Sequence, residues 1–362
     1  MSQRLKPHKT LSKWFLCLLL IAVILAAGYF LFKNQWLRET TQSFRQTAAD
    51  DAVSTAQVIP SFHRLVGIED AQTTLALSPG EEVFATGGRD GVIRLWYGGS
   101  GEGIAEFAGH PHGVVDLAFS PDGAMLASTG RRERVIRIWD VKRGELVETI
   151  EPALTVGTID QLVFSPDGRK ILFSGENEQY QFVLFWELEA GTQSGRLAGH
   201  EDLITAMVFS PDGRTLATGG YDNTIHLWDW ESRTVELILE TPSPVLDLAF
   251  SPDGEWLAAG LNDSSVYIWA VKSGEVLGVL RGHDFSVNAV SFSPDGALLA
   301  SGDSEKIQFW DTSAFTLLAQ FRSDDKAVRG LAFGTDDQLI SISGSGRKGG
   351  VFLWNLSTLD WE

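Results

Sequence analysis

Hydrophobic positions fall into two patterns along the chain. Residues 14–32, WFLCLLLIAVILAAGYFLF, form a run of 19 positions without a charge. At 1.5 Å per residue this predicts about 28 Å of helix, close to the hydrocarbon thickness of a bilayer. From residue 58 onward the apolar runs are short and are separated by turn words. The clearest stretch is GHEDLITAMVFSPDGRTLATGGYDNTIHLWDWESRTVELILE, Gly199 to Glu240. Leu203–Phe209 is rich in strand formers, and Ser210-Pro211-Asp212-Gly213 then reverses the chain, with proline pre-set for the second turn position and glycine tolerant of positive φ. TLATGG and TIHLWDW, parted by the turn residues GYDN, are two further strands, and TVELILE is a fourth. The unit is one small antiparallel sheet without a helix.

That unit recurs. The word FSPDG begins at Phe119, Phe164, Phe209, Phe250 and Phe292, with gaps of 45, 45, 41 and 42 residues. Weaker versions, LSPGE at Leu77 and FGTDD at Phe333, bring the number of units to seven. Near the end of each unit stands a tryptophan: Trp96, Trp139, Trp186, Trp228, Trp269, Trp310 and Trp354, 41 to 47 residues apart. Periodicity on this scale marks a repeat architecture.

The unit resembles the WD-repeat β-propeller family, whose signature is Gly-His near the start and Trp-Asp near the end. The resemblance covers roughly residue 58 to the end. It implies an all-β, seven-bladed WD-repeat β-propeller, here preceded by one transmembrane α-helix. The expected organisation is a basic tail (1–13), a membrane helix (14–32), a polar juxtamembrane linker (33–57) and the propeller (58–362). A propeller must hide its first and last sheet edges. Only LSTLDWE follows Trp354-Asn355, so Val58–Val66 is expected to pair beside Val351–Trp354 as the outer strand of the last blade, a closure the family commonly uses.

The resemblance also assigns His200, Thr218, Asp222 and Trp228 to a buried hydrogen-bond network within one blade, although a His, a hydroxyl and an Asp are also the parts of a nucleophilic triad. No oxyanion hole or cleft accompanies them in the sequence. Gly-His survives at His110, His200 and His283, while Ile68, Thr155, Thr241 and Asp324 fill the slot elsewhere. The turn aspartate six residues before its tryptophan is found at Asp90, Asp222 and Asp263. On that count only unit four has all four members, and the other blades are expected to rely on packing and strand pairing.

Composition changes this picture little. With 44% hydrophobic and 21% charged residues in 362, the chain is not disordered by composition. Its one cysteine, Cys17, excludes an intramolecular disulfide and a cysteine zinc site. His110-x-His112 is a weak metal signal, and no metal or cofactor is expected. The net charge is −18, and the four basic residues of 1–13 leave −22 on the rest. Such a body disfavours nucleic acid and anionic membrane surfaces.

The N-terminal run reads as a retained anchor. Trp14, Tyr29 and Trp36 sit at interfacial positions, and Lys13 and Lys33 mark the borders. The rival is a cleaved signal peptide with Ala26-Ala27-Gly28 as the processing site. Basic residues on both flanks bias the topology only slightly, toward the N-terminus inside and the propeller on the opposite side.

Charge on the predicted upper-face loops is uneven. Units seven, one and two, neighbours in a closed ring, carry Arg347 and Lys348, then Arg89, then Arg131, Arg132 and Arg134. Units three and four carry Glu176, Glu178, Glu201, Asp202 and Asp222. Tyr221 and Phe285 are loop aromatics on the same face. Arginine forks suit carboxylates and phosphates, and loop aromatics often anchor interfaces. The alternative is solvated loop charge, some of it locally paired as in Arg132–Glu133–Arg134. The expected function is a non-catalytic, membrane-anchored scaffold for a protein partner. A propeller enzyme of the quinone-cofactor or hydrolase type, and an envelope component acting by avidity, are the alternatives.

Overall fold

The computed structural model describes residues 61–359 except 66–67, 69, 81, 153–156, 177–180, 324–326, 335–336 and 346–347. The expected membrane helix, tail and linker lie outside the described residues, as does Arg347. Among the described residues no helix is long and apolar enough to cross a membrane.

The described strands form seven four-stranded antiparallel sheets. Blade one runs from Gln72–Leu77 to Gly103–Ala108, and blade four from Ile204–Phe209 to Thr234–Glu240. The first strands touch from blade to blade all the way round, including Val328–Phe333 of blade seven against Gln72–Leu77 of blade one. The ring is therefore closed. Its seam is the expected one: Ser61–Arg64 pairs antiparallel with Lys348–Asn355, Phe62 opposite Trp354 and His63 opposite Leu353. Phe62 packs its ring 4.9 Å from that of Trp354.

Each tryptophan faces a fully buried residue of the second strand, as with Phe84 and Trp96, Leu216 and Trp228, or Leu339 and Trp354. In blades one to six the register slips just before the tryptophan, for example between Leu227 and Trp228. Such bulges bend the strand and raise its twist. The pairing at the seam runs without one.

The repeated SPDG word does more than reverse the chain. In each turn the serine hydroxyl donates to the aspartate and accepts the N–H five residues on, as with Ser210, Asp212 and Thr215. The glycines take positive φ, 71° at Gly213, where a side chain would be strained. A Cβ on Gly213 would also come within 2.7 Å of Pro166 in the preceding blade's turn. At Gly168 and Gly254 the same Cβ would stand in ordinary contact with Pro121 at 3.6 Å and Pro211 at 3.5 Å. Successive turns of the first six blades thus touch one another on the face opposite the one that carries the arginine loops.

Polar staples join neighbouring first strands. Thr73 donates to the Val114 carbonyl at 2.7 Å, and Thr205 to that of Val245 at 2.6 Å. Asp116 accepts from Leu162 N–H of blade three, and Asp247 from Val290 N–H of blade six, both at 2.8 Å. Both residues are half-buried on the inner strands. Burial pushes the Asp116 pKa up to about 6 and that of Asp247 to about 7, against the lowering effect of their hydrogen bonds; the Asp116 charge adds to the rise at Asp247.

Candidate interaction face and channel-mouth cavity

The predicted network in blade four forms completely. Trp228 Nε1 donates to Thr218 Oγ1 at 2.9 Å, His200 Nε2 lies 2.7 Å from that oxygen, and His200 Nδ1 lies 2.8 Å from Asp222 Oδ2. Burial pushes Asp222 up, but its hydrogen bond to His200, the His200 charge, and bonds from Thr224 and Glu201 together hold it well below the usual carboxylate range. The network satisfies buried polar groups at the blade's rim.

Blade four is not alone, which corrects the expectation from fixed spacing. In blade two Trp139 donates to Ser128, His110 Nε2 lies 2.8 Å from that hydroxyl, and Glu133 stands 2.6 Å from His110 Nδ1. In blade six Trp310 donates to Ser301, whose hydroxyl is 2.6 Å from His283 Nε2, and Asp303 lies 2.9 Å from His283 Nδ1. Among the described residues Trp96 and Trp354 keep only the hydroxyl partner, Thr86 or Ser341. Blade three has lost even that: Phe173 fills the hydroxyl slot, and the Trp186 ring N–H is buried without a partner among the described residues.

His226 was not singled out by the sequence. Its ring stacks on His200 with centroids 4.2 Å apart, and burial, then the His200 charge, lowers its pKa to about 4. His200, Asp222 and His226 offer donor atoms within 4.8 Å of one another. Both His200 nitrogens are already engaged, so the geometry is that of a hydrogen-bond network with a neutral imidazole stacked on it. His110 is buried in its network and His112 is exposed, so the His-x-His pair does not converge.

The loops between second and third strands carry the predicted basic residues. Arg89, Arg131, Arg132, Arg134 and Lys348 are all exposed. Arg132 takes φ 61°, closing a tight turn. Glu133 turns inward to His110 and Arg137 instead of pairing with its neighbours, which leaves Arg131, Arg132 and Arg134 as the outward charge of that loop. Tyr221 and Phe285 are both 44% exposed, in blade four and beside blade six.

Arg89 and Arg131 meet at the mouth of the central channel. They line a cavity of about 150 Å³ with Gln72, Thr73, Val115 and Arg329. Arg329 was missed because it stands on an inner strand, Val328–Phe333, and not in a loop. Arg329 is exposed; partial desolvation, then the charges of Arg89 and Arg131, lower its pKa from the ordinary value. A second cavity, of about 240 Å³, lies at the seam between Phe62, His63, Gly99 and Gln338.

These features define a closed seven-bladed propeller whose blades carry tryptophan-centred polar networks. The family model "WD domain, G-beta repeat" matches residues 61–97, 101–140, 191–229, 234–270 and 274–311, more than half of the chain, and the chain belongs to that family. Blades three and seven fall largely outside the matched stretches. Among curated relatives, the chain is 26% identical over 150 residues to WD repeat-containing protein srw1 of Schizosaccharomyces pombe, covering 41% of this chain and 26% of that protein. It is 25% identical over 186 residues to B-type cell cycle switch protein ccs52B of Medicago truncatula, covering 51% and 36%. It is 38% identical over 94 residues to nuclear distribution protein nudF 2 of Talaromyces marneffei, covering 26% and 20%. The chain thus spans about a third or less of these relatives. WD-repeat propellers typically act as protein-interaction scaffolds.

Proposed function

We propose that this propeller is a non-catalytic scaffold that docks a protein partner on the face carrying its basic loops. The segment Trp14 to Phe32 tethers it to a membrane, with the propeller on the side opposite the N-terminus. The observation that carries the docking reading is the charge asymmetry. In a chain of net charge −18, Arg89, Arg131 and Arg329 converge on one cavity, and Arg132, Arg134 and Lys348 stand exposed in neighbouring loops. Tyr221 and Phe285 supply exposed aromatic surface of the kind that anchors interfaces. A charge-free run of 19 residues bordered by Lys13 and Lys33 supports the tether.

Replacing Arg89, Arg131 and Arg347 together with glutamate is expected to abolish capture of the partner retained by the wild-type chain from native membranes. Undiminished capture contradicts the docking reading. Protease applied outside intact cells or spheroplasts is expected to digest the propeller; full protection reverses the topology.

A further inference from the structure

The loops of the interaction face repeat at equivalent positions, and their chemistry reverses across the ring. Arg89 N–H donates to the Ala71 carbonyl, Arg131 to Gly113, Tyr221 to Leu203 and Asn262 to Pro244, at 2.8 to 3.0 Å. The same backbone contact thus carries an arginine in blades one and two, an aromatic in blade four and an amide in blade five. In the loops of blades four to six, Glu201, Asp202, Asp263, Asp284 and Glu305 are exposed. Residues 199–203, 221–223, 241–244, 262–264, 282–286 and 303–305 hold no lysine or arginine. Among the described residues the ion pairs of these loops involve Asp222, Asp303 and Asp284, and leave Glu201, Asp202, Asp263 and Glu305 outside them. Leu203, Tyr221 and Phe285, 40%, 44% and 44% exposed, are the large apolar side chains that the same loops present.

On the other side, Arg131, Arg132 and Arg134 project from one loop whose acid, Glu133, turns inward, and Arg89 and Lys348 stand exposed in the two blades before it. Asp90 on that side is paired with Arg94. In a closed ring of seven, blade five, at the centre of the acidic half, lies almost opposite blade one, at the centre of the basic half. The face is therefore complementary to itself. A second copy, turned over about a two-fold axis lying in the face between the halves, sets the basic half of each on the acidic half of the other. One rotation makes both contacts, as a two-fold interface requires. Arginine suits both kinds of neighbour it then meets, since its fork pairs with carboxylates and its plane stacks on aromatic rings. A partner of one sign of charge would match one half and be repelled by the other.

We propose that the protein docked on this face is a second copy of this chain, with Arg131, Arg132 and Arg134 of each copy set over Glu201, Asp202, Tyr221 and Phe285 of the other. The proposal rests on the docking reading above. The contact is a weak one, drawn from exposed groups, and forms where the tether holds copies on one surface. Full-length copies carrying a donor or an acceptor fluorophore at the C-terminus are reconstituted together, at low and fixed density, in phosphatidylcholine vesicles, and energy transfer is read.

Wild-type copies are expected to give transfer above the level set by random proximity. Copies with Arg131→Glu, Arg132→Glu and Arg134→Glu are expected to associate with one another about tenfold or more weakly, because like charges then face each other. Copies with Glu201→Lys, Asp202→Lys and Glu305→Lys are expected to show the same loss. The two variants mixed are expected to regain wild-type transfer or exceed it, since one face is then acidic throughout and the other basic; recovery also shows that both fold. If a triple variant does not fold, the single exchanges Arg132→Glu and Asp202→Lys make the same test. No transfer between wild-type copies, transfer unchanged by both charge reversals, or no recovery in the mixture overturns the proposal. If the mixture does not recover yet the variant with glutamate at Arg89, Arg131 and Arg347 still loses its captured partner, another protein holds the face and the docking reading stands. If the mixture recovers while that variant keeps its partner, the docking reading is the one that fails.

Discussion

A single hydroxyl sets how well each tryptophan is held. Thr218 accepts from Trp228 and contacts His200, whereas Thr86 serves Trp96 alone. Thr218→Val keeps the shape and leaves both partners unsatisfied, so we expect a loss of roughly 2 kcal/mol in unfolding free energy. Thr86→Val is expected to cost less, and neither variant to alter partner capture. Chemical denaturation checks the ranking; an unchanged midpoint in Thr218→Val together with lost capture points to a functional threonine. The blade-four set was legible in the sequence because its members stand at the family's spacings. Glu133 and Asp303 were not, because one is a different acid and the other lies seven residues before its tryptophan instead of six. Space, not spacing, brings them to His110 and His283.

The joints between blades carry their own pH dependence. Asp247 has a folded pKa raised to about 7, above its ordinary 3.8. The folded state therefore holds a proton that the unfolded chain has already lost, and stability from this group, complete below about pH 4, is lost as pH rises toward 7. His226, lowered to about 4, acts in the opposite sense over part of that range, so the total profile does not isolate the aspartate. The difference between wild type and Asp247→Asn does. The deficit of the variant in melting temperature is expected to shrink between pH 4 and pH 7; a constant deficit removes the account. Alternation and turn words made the strands legible. They gave no hint of these staples, because Asp116 and Asp247 look like ordinary polar positions until the next blade's N–H groups are placed beside them.

Closure is a property of the whole ring. Ser61–Arg64 covers the edge of Lys348–Asn355, and among the described residues no other strand does so. Deleting residues 61–64 is expected to expose that edge and convert the propeller to dimers and larger species in size-exclusion chromatography with light scattering. A monodisperse monomer of unchanged stability argues that the seam adds little. The closing strand was foreseen from a shortage of chain after Trp354. The basic side of the face was foreseen in part, from Arg89 and Arg131. Arg329 and Gln72 escaped notice because inner strands contribute to the channel mouth as much as loops do.

The docking face itself is tested most directly by site-specific photo-cross-linking of the full-length chain in its native membrane. Benzoylphenylalanine is placed at Arg132, Tyr221 or Phe285 on one face, and at Asp167 or Asp253 in the turns of the other. The account predicts adducts to one common protein from the first three positions and none from the last two. Adducts from Asp167 and Asp253 alone would put the partner on the wrong side of the disc and contradict it.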